Sequence, residues 1–313
     1  LVSCDSQQTS EEESDLEGLG TAGIEITAPF SSSSTSEQGG TVSSKFRLKS
    51  APLSPVTITL NSSDTQEGTV SPTVLTFNKD NWDSYVSIIV TGVDDDIADG
   101  SQSYEIQIAS VVSEDSKYSA LNGQIDPIKL QNEDDEIKAI VLGSLSGDTT
   151  EAGGNATFSV KLASKPIEAV SIPIISTDTS EGTVSVSSLS FDNSNYNTVQ
   201  TVTVNGEDDD ERDGNIAYQV KIGPTSSNSL PYNNVESLTH SITNIDNETS
   251  GVTVSSTNIT TDEAGSTSTF SVKLVTKPSA DVTINLRSTD PGEGVISASK
   301  LTFTGSNYST AQT

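Results

Sequence analysis

The sequence predicts an all-β chain of tandem immunoglobulin-like antiparallel β-sandwiches. Three observations predict this fold class. A set of landmark residues recurs in the same order along the chain, apolar and polar residues alternate with a period of two, and helix signals are weak throughout. Together they indicate a row of similar β modules, each long enough to bury its own core.

The repeat is most evident in an acidic loop. The segment Gly92–Gly100 has the pattern Asp-Asp-Asp-x-x-Asp, and the same pattern returns in Gly206–Gly214 after an interval of 114 residues. Other landmarks keep that interval and then one of 112 residues: Glu37, Glu151 and Glu263; Pro52, Pro166 and Pro278; Asp64, Asp178 and Asp290; Glu67, Glu181 and Glu293; Phe77, Phe191 and Phe303; Trp82, Tyr196 and Tyr308. Order and spacing kept over so many positions indicate repeated domains.

The landmarks divide the chain into four segments. Residues 1–21 are predicted to be an N-terminal tether, 22–136 module one, 137–249 module two and 250–313 module three. Module three ends at a position that corresponds to Thr201 of module two, before the next strand and acidic loop. We therefore expect the sequence to be a fragment of a longer protein, cut within this module.

Side-chain alternation marks the strands of each module. In module two, Phe158, Val160 and Leu162 alternate with Ser159 and Lys161, as in a half-buried strand. Strands of this type are predicted in module one near residues 24–27, 42–48, 56–61, 74–78, 85–93, 104–110 and 127–131. About seven short strands are typical of an immunoglobulin-like sandwich.

Acidic residues dominate the charge of the chain. Asp and Glu number 44 against 15 Lys and Arg, which gives a net charge of −29. This balance argues against nucleic acid and anionic lipid surfaces as electrostatic partners, and it favours metal cations. Low hydrophobicity with high charge is also found in disordered chains, but the periodic apolar residues indicate folded modules.

The first residues resemble the end of a bacterial lipoprotein signal. In Leu1-Val2-Ser3-Cys4, the resemblance implies that Cys4 carries a lipid anchor, and the Ser-, Gln- and Glu-rich residues 5–20 are typical of a flexible tether. The alternative is an incidental cysteine near a terminus. Since Cys4 is the only cysteine, intrachain disulfides are excluded. We expect a location on the bacterial cell surface or outer membrane, with extracellular modules.

Strand parity brings the acidic segments of a module to one end. Successive strands of an antiparallel sandwich run in alternate directions, so the first, third and fifth connections share a pole with the end of the last strand. In module one these positions carry Glu37, Asp64, the acidic loop and residues 134–136. Two carboxylates about 4 Å apart repel by roughly 1 kcal/mol in water and roughly 4 kcal/mol at an effective dielectric near 20. A cation would relieve this repulsion.

Calcium is the cation that best suits such a pole. It takes six to eight oxygen ligands from flexible loops, whereas magnesium prefers strict octahedral geometry and retains its waters. No Cys or His accompanies the acidic segments, which disfavours zinc, copper and iron. The alternative is that these loops are solvated surface charge and hold no ion.

The acidic segments resemble the Calx-beta family, the calcium-binding β-sandwich of sodium–calcium exchangers and many bacterial surface proteins. The resemblance rests on the Glu before each Gly-containing turn, on the Asp-Asp-Asp-x-x-Asp loop and on the acidic exit after the last strand. In that family calcium ions lie between these loops and the exit. The resemblance implies the calcium ligands Glu37, Asp64, Asp94, Asp95, Asp99, Asp134, Asp135 and Glu136 in module one, and Glu151, Asp178, Asp208, Asp209, Asp213, Asp246 and Glu248 in module two. Because Asn247 replaces an acid, we expect fewer ions in module two.

The sequence does not predict an enzyme. His240, the only histidine, lies in a strand pattern and corresponds to Ile128 of module one, which indicates an incidental position rather than a catalytic base. Trp82, Tyr196 and Tyr308 share one position and are predicted to be packing residues. The sequence has no phosphate-binding or nucleotide-binding motif.

These features predict a lipid-anchored bacterial surface protein whose calcium-rigidified modules form a stalk or adhesive scaffold. It would present a further domain, or its own surfaces, to host matrix or cell-surface proteins. The main alternative is a metal-independent spacer that carries an adhesin or enzyme domain beyond residue 313. An adhesin that pairs with a protein through its edge strands is a further alternative.

Overall fold

The computed structural model describes residues 20–27, 34–228 and 230–313. Cys4, and with it the predicted lipid anchor, lies outside the described residues. The chain divides into two units, residues 1–138 and residues 139–313. Within the described ranges, no helix has the length and apolar character needed to cross a membrane.

Module one is a sandwich of two sheets. Its described part contains the strands β1 Ile24–Ile26, β2 Ser34–Ser36, β3 Thr41–Leu48, β4 Val56–Ser62, β5 Gly68–Ser71, β6 Val74–Phe77, β7 Val86–Gly92, β8 Gln102–Val112 and β9 Ile128–Glu133. One sheet has the order β1-β3-β7-β5 and the other the order β2-β9-β8-β4-β6. All pairs are antiparallel except β2 with β9, which is parallel. The predicted all-β, antiparallel fold class is confirmed.

Two short strands of this sandwich were not predicted. They are β2 and β5. β1 belongs to one sheet and β2 to the other, and β5 and β6 are divided between the two sheets in the same way. β2 has the sequence Ser-Thr-Ser and β5 has Gly-Thr-Val-Ser. Neither contains the run of alternating apolar residues by which strands are recognised in a sequence.

The alternation of side chains produces the core. In β3, Val42, Phe46 and Leu48 are buried, while Ser43 and Lys45 between them are exposed. These residues pack against the inward side chains of β4, β7 and β8 to form one contiguous hydrophobic cluster. Burial of apolar area in this cluster is the main stabilising contribution to the module.

Module two repeats the arrangement in the second unit. Its described strands are β10 Ile140–Leu142, β11 Thr149–Thr150, β12 Asn155–Leu162, β13 Val170–Ser176, β14 Gly182–Val184, β15 Ser188–Phe191, β16 Gln200–Gly206, β17 Ile216–Ile222, β18 Ser226–Ser227 and β19 Leu238–Ile245. They form sheets of order β10-β12-β16-β14 and β11-β19-β17-β13-β15, with β18 on β13. Again β11 runs parallel to β19.

Residues 250–313 form shorter pairings around a small core. The described strands are β20 Val252–Val254, β21 Val272–Leu274, β22 Val282–Asn285 and β23 Lys300–Phe303, and they pair as β20 with β21 and β22 with β23. Leu301 and Phe303 are buried, and Phe303 is as fully buried as its counterparts Phe77 and Phe191. Burial at the same place in each module explains why this Phe recurs.

Two short helices close the pole opposite the acidic loops. α1 spans Ser116–Ser119, and a 3-10 helix spans Leu230–Tyr232. Each presents a buried tyrosine: the Tyr118 hydroxyl donates to Ser50 O at 2.6 Å, and the Tyr232 hydroxyl donates to Ser164 O at 3.0 Å. These equivalent bonds anchor the helix of each module to the segment that follows β3 or β12.

The aromatic residues and the histidine lie where the sequence predicted. Trp82, Tyr196 and Tyr308 are partly buried against the three hydrophobic clusters, so the prediction that they are packing residues is confirmed. His240 lies in β19, its ring centroid is 4.9 Å from that of Phe158, and its Nε2 is 3.1 Å from Gly143 O. These contacts place His240 in the packing of the strands.

Candidate metal sites

Strand directions bring the acidic segments of each module together. β4 and β9 are both antiparallel to β8, and β2 is parallel to β9, so these strands end at the same pole. β7 joins them there, because Val93 N donates to Glu67 O at 3.1 Å and Gly92 N donates to Gly40 O at 3.0 Å. In module two, Glu207 N donates to Glu181 O, also at 3.1 Å.

The parallel pairing of the first and last strands places Glu37 and Glu151. β2 ends at Ser36, and the next amide, that of Glu37, donates to Glu133 O at 3.0 Å. In module two the amide of Glu151 donates to Ile245 O at 3.1 Å. Each glutamate is therefore fixed next to the first residues of the acidic exit.

The result is a group of three carboxylates in each module, which we call the triads. One consists of Glu37, Asp135 and Glu136 and the other of Glu151, Asp246 and Glu248. In each triad, one oxygen from every carboxylate lies within 4.8 Å of the others. Strand pairing thus brings a glutamate together with two acidic residues that lie about a hundred positions later in the sequence.

Burial leaves oxygens of the triads without partners. Glu37 is 4% exposed and Glu151 5% exposed. The buried Oε2 atoms of Glu37, Glu136 and Glu248 have no hydrogen-bond partner. An unsatisfied buried acceptor costs roughly 1–3 kcal/mol, and more when it is charged. Carboxylate oxygens that face one another without donors fit a hard cation that binds oxygen.

The pKa values of the triads reflect the same crowding. Burial, followed by the hydrogen bond with Glu136, raises the pKa of Glu37 to about 8. The hydrogen bond with Glu151, followed by burial, raises the pKa of Glu248 to about 7. A hydrogen bond between two carboxyl groups requires a proton on one of them. The raised pKa values therefore favour a proton on each triad near neutral pH, which a bound cation would displace.

The raised pKa values predict how stability changes with pH when calcium is removed by a chelator. A group whose pKa is higher in the folded state stabilises the fold fully below its unfolded pKa of 4.5, and Glu37 loses that contribution as pH rises towards about 8. We expect the melting temperature in chelator to fall between pH 5 and pH 8. Thermal melts in EGTA across this range measure it. In calcium the fall should disappear, because the cation binds the deprotonated carboxylates; a fall of equal size in calcium would contradict the prediction.

Hydrogen bonds tie each acidic loop to the exit that follows the last strand. Asp134 accepts a hydrogen bond from Gly100 N through Oδ2 and one from Glu136 N through Oδ1. Asp246 does the same in module two, with Gly214 N at 2.7 Å and Glu248 N at 2.7 Å. The loop, the exit and the triad therefore form one connected structure at the pole.

Each pole holds a second acidic group: Glu67 with Asp64, Asp95 and Asp99 in module one, and Glu181 with Asp178, Asp209 and Asp213 in module two. Burial raises the pKa of Glu67, and the charges of Asp99, Asp64 and Asp95 raise it further. In module two, burial and then Asp213, Asp178 and Asp209 act on Glu181 in the same way. The sequence marked Glu67 and Glu181 as repeat landmarks but did not predict them as part of the site. Their recurrence three residues after Asp64 and Asp178 was the available signal.

Nine of the predicted ligands lie outside the triads: Asp64, Asp94, Asp95, Asp99 and Asp134 in module one, and Asp178, Asp208, Asp209 and Asp213 in module two. Asp64 Oδ1 accepts a hydrogen bond from Gln66 N at 2.9 Å, and Asp178 Oδ1 accepts from Ser180 N at 3.0 Å, so both cap their own turns. Asp94 is exposed at the start of its loop. Asp208 Oδ1 accepts from the Asn247 side chain at 3.1 Å. Asn247 thus supplies a donor at the position where module one has the acid Asp135.

The tip of the second acidic loop contacts residues 250–313 within the same unit. The amide of Lys277 donates to Asp210 O at 2.7 Å, and the Lys277 ammonium forms an ion pair with Glu211. The Tyr308 side chain also forms a hydrogen bond with Asp210. The same loop therefore carries candidate metal ligands, Asp208 and Asp209, and the residues that contact 250–313, Asp210 and Glu211.

Comparisons with known proteins give only distant likenesses. No protein-family model and no curated protein matches the chain. Similar solved structures include domains 4 and 5 of the S-layer protein SbsC, at 16% identity and a TM-score of 0.28 over 60% of this chain and 77% of that one. CBD12 from CALX1.2 has 13% identity and a TM-score of 0.27, over 63% and 81% of the two chains. The calcium binding domain CBD12 of CALX1.1 has 14% identity and a TM-score of 0.26, over 61% and 77%. At these values the likenesses carry no argument about family or activity.

Proposed function

We propose that this chain is a bacterial cell-surface scaffold whose β modules are stiffened by calcium bound at the acidic poles. The observation that carries the proposal is the pair of triads. Both complete modules bring three carboxylates together at the same pole with a buried glutamate, Glu37 or Glu151, among them, and both leave carboxylate oxygens there without partners. An incidental surface charge would not be expected to recur with this burial in two modules.

The residues present fit calcium. The triads would supply the innermost ligands, Glu37, Asp135 and Glu136 in module one and Glu151, Asp246 and Glu248 in module two. Asp95 and Asp99, and their counterparts Asp209 and Asp213, belong to the second acidic group of each pole, where their charges raise the pKa values of Glu67 and Glu181. When bound, calcium supplies positive charge to carboxylates that otherwise repel one another or hold a proton.

Two features support a role in stiffening the chain. The exit residues Asp135 and Glu136 directly precede Ile137, where module two is predicted to begin, so a cation held by them would restrain the start of the connection. In the second unit, the acidic loop that carries Asp208 and Asp209 also contacts Lys277 through its tip. A loop ordered by a cation would hold that contact in place.

The remaining parts of the proposal rest on sequence. We propose a lipid anchor at Cys4, a tether over residues 1–21 and modules over residues 22–136, 137–249 and 250–313. The partners of the exposed surfaces would be host matrix or cell-surface proteins. An anchor at Cys4 would hold the chain at a membrane, and the net charge of −29 favours solubility of the modules.

Small-angle X-ray scattering of the full chain in calcium and in chelator tests the stiffening. We expect a narrower distribution of molecular dimensions in calcium, because ordering the poles restricts the connections. The variant Glu37→Gln with Glu151→Gln should keep the chelator distribution even when calcium is present. Identical scattering curves in the two conditions, with calcium bound, would show that the chain is a metal-binding protein but not a calcium-stiffened one.

A further inference from the structure

A buried asparagine lies at the centre of each acidic pole. Asn132, in β9, is 0% exposed. Its Nδ2 donates to Val93 O at 2.8 Å and lies 3.4 Å from Glu67 Oε2. Its Oδ1 accepts a hydrogen bond from the Thr35 hydroxyl at 3.0 Å. One amide thus contacts three segments of the chain other than its own.

The contacted segments are those that carry the acidic residues. Thr35 is two positions before Glu37, and Val93 directly precedes Asp94. Asn132 itself is two positions before Asp134, where the acidic exit begins. A side chain that bonds to all of these segments sets their spacing before any ion arrives, which is the role of a residue behind a metal ligand.

The donor contacts recur in module two, whereas Asn244 Oδ1, unlike Asn132 Oδ1, has no hydrogen-bond partner in the described part of the chain. Asn244 is 1% exposed, its Nδ2 donates to Glu207 O at 2.8 Å, and it lies 3.5 Å from Glu181 Oε2. The hydroxyls of Thr149 and Tyr218 are 3.1 Å apart beside it, as those of Thr35 and Tyr104 are 2.9 Å apart in module one. The residues directly before and after the asparagine differ between the two modules, whereas the asparagine itself is the same.

The chemistry of the position favours Asn over other residues of its size. An amide provides two donors and one acceptor, which the Val93 carbonyl, the Glu67 carboxylate and the Thr35 hydroxyl use. An aspartate would place a negative charge against Glu67 and against a carbonyl. A leucine would leave buried polar groups without partners, at a cost of roughly 1–3 kcal/mol each.

We propose that Asn132 and Asn244 are positioning residues for the cation sites: Asn132 holds the turn, the acidic loop and the exit of module one, and Asn244 holds the acidic loop and the exit of module two, at the separation that the ligands need. The proposal rests on the proposed calcium function. Neither residue would touch the ion. Each acts through the main-chain carbonyl before its acidic loop and through a glutamate of the second acidic group.

Calcium binding by the full chain with Asn132→Ala tests the proposal. Trp82 is the only tryptophan, so its fluorescence follows the unfolding of module one alone. We expect the calcium affinity of module one, obtained from the shift of this transition with calcium concentration, to fall about 10–100-fold, as is usual when a residue behind a metal ligand is lost. Module two keeps Asn244 and its own site, so calorimetry should retain the binding of that module.

A matched control separates positioning from stability. Tyr118→Phe removes a buried hydrogen bond at the opposite pole of the same module and should lower its melting temperature with no change in calcium affinity. If Asn132→Ala behaved like Tyr118→Phe, the proposal would be overturned. Should Asn132→Ala not fold, Thr35→Val removes one bond of the amide and is expected to weaken calcium binding by a smaller factor; unchanged affinity would equally overturn it.

Amide hydrogen exchange in chelator keeps this inference distinct from the calcium proposal. We expect the Gly100 amide, which donates to Asp134, and the Val93 amide to exchange faster in Asn132→Ala and at the wild-type rate in Tyr118→Phe. Faster exchange with no calcium response in the wild type would refute the calcium function and retain the ordering role of Asn132. Unchanged exchange would refute the role of Asn132 itself.

Discussion

Glu37→Gln is expected to abolish the stabilisation of module one by calcium. A ligand present at 100 times its dissociation constant adds about 2.7 kcal/mol to the free energy of unfolding, and Glu37 is the buried member of the first triad. Without its charge, the triad loses a ligand that neither Asp135 nor Glu136 replaces. Trp82 fluorescence during thermal unfolding, in calcium and in chelator, measures the loss in module one.

The direction of the effect should reverse in chelator. At pH 8 the deprotonated carboxylates of the wild-type triad repel one another and destabilise the fold. Gln has no charge, so the variant should melt at a higher temperature than the wild type. Glu114→Gln is the control, because Glu114 is exposed and follows β8 at the opposite pole. A calcium response in Glu37→Gln equal to that in Glu114→Gln would rule out the triad as the site.

Gly92→Ala is expected to destabilise module one and weaken its cation site together. A Cβ at this position would lie 2.3 Å from Ser36 O and 2.4 Å from Asn132 Oδ1, closer than real Cβ atoms come. Forcing extra atoms into a packed interior costs about 1–3 kcal/mol, and the atoms that must move here belong to the turn before Glu37 and to the central amide of the pole. Denaturant unfolding followed by Trp82 fluorescence measures the destabilisation.

The control for Gly92→Ala is Thr91→Ala in the same strand. Thr91 is half-buried, and its replacement removes atoms rather than adding them, so the effect should be well below that of Gly92→Ala. Gly206→Ala should repeat the result in module two, where a Cβ would lie 2.4 Å from Thr150 O and 2.7 Å from Asn244 Oδ1. Equal stability of Gly92→Ala and the wild type would mean that the pole is loosely packed.

The fold was predictable because its signals are long and periodic. Strands such as β3 and β4 alternate buried and exposed side chains over seven or eight residues, and the pairing directions then follow from strand order. β2 and β5 were not predictable in this way. They are three or four residues long and largely polar, and only their partners in the folded sheet make them strands.

The acidic pole was predictable in outline and not in detail. Strand parity alone brings the acidic segments to one pole, and the triads consist of residues that the sequence marked. Whether a given carboxylate points to the common centre depends on the turn that carries it: Asp64 and Asp178 cap their own turns instead. Asn132 and Asn244 were not recognised, since a buried asparagine and a surface asparagine look alike in sequence.

The central claim is that both acidic poles bind calcium, and isothermal titration calorimetry of the full chain tests it most directly. Because Glu37 and Glu248 have pKa values raised to about 8 and about 7, calcium should displace protons near neutral pH, and the measured heat should change with the ionisation enthalpy of the buffer. We predict saturable binding by both complete modules, with proton release. No heat of binding in any of several buffers, together with no calcium-dependent change in melting temperature, would contradict the account.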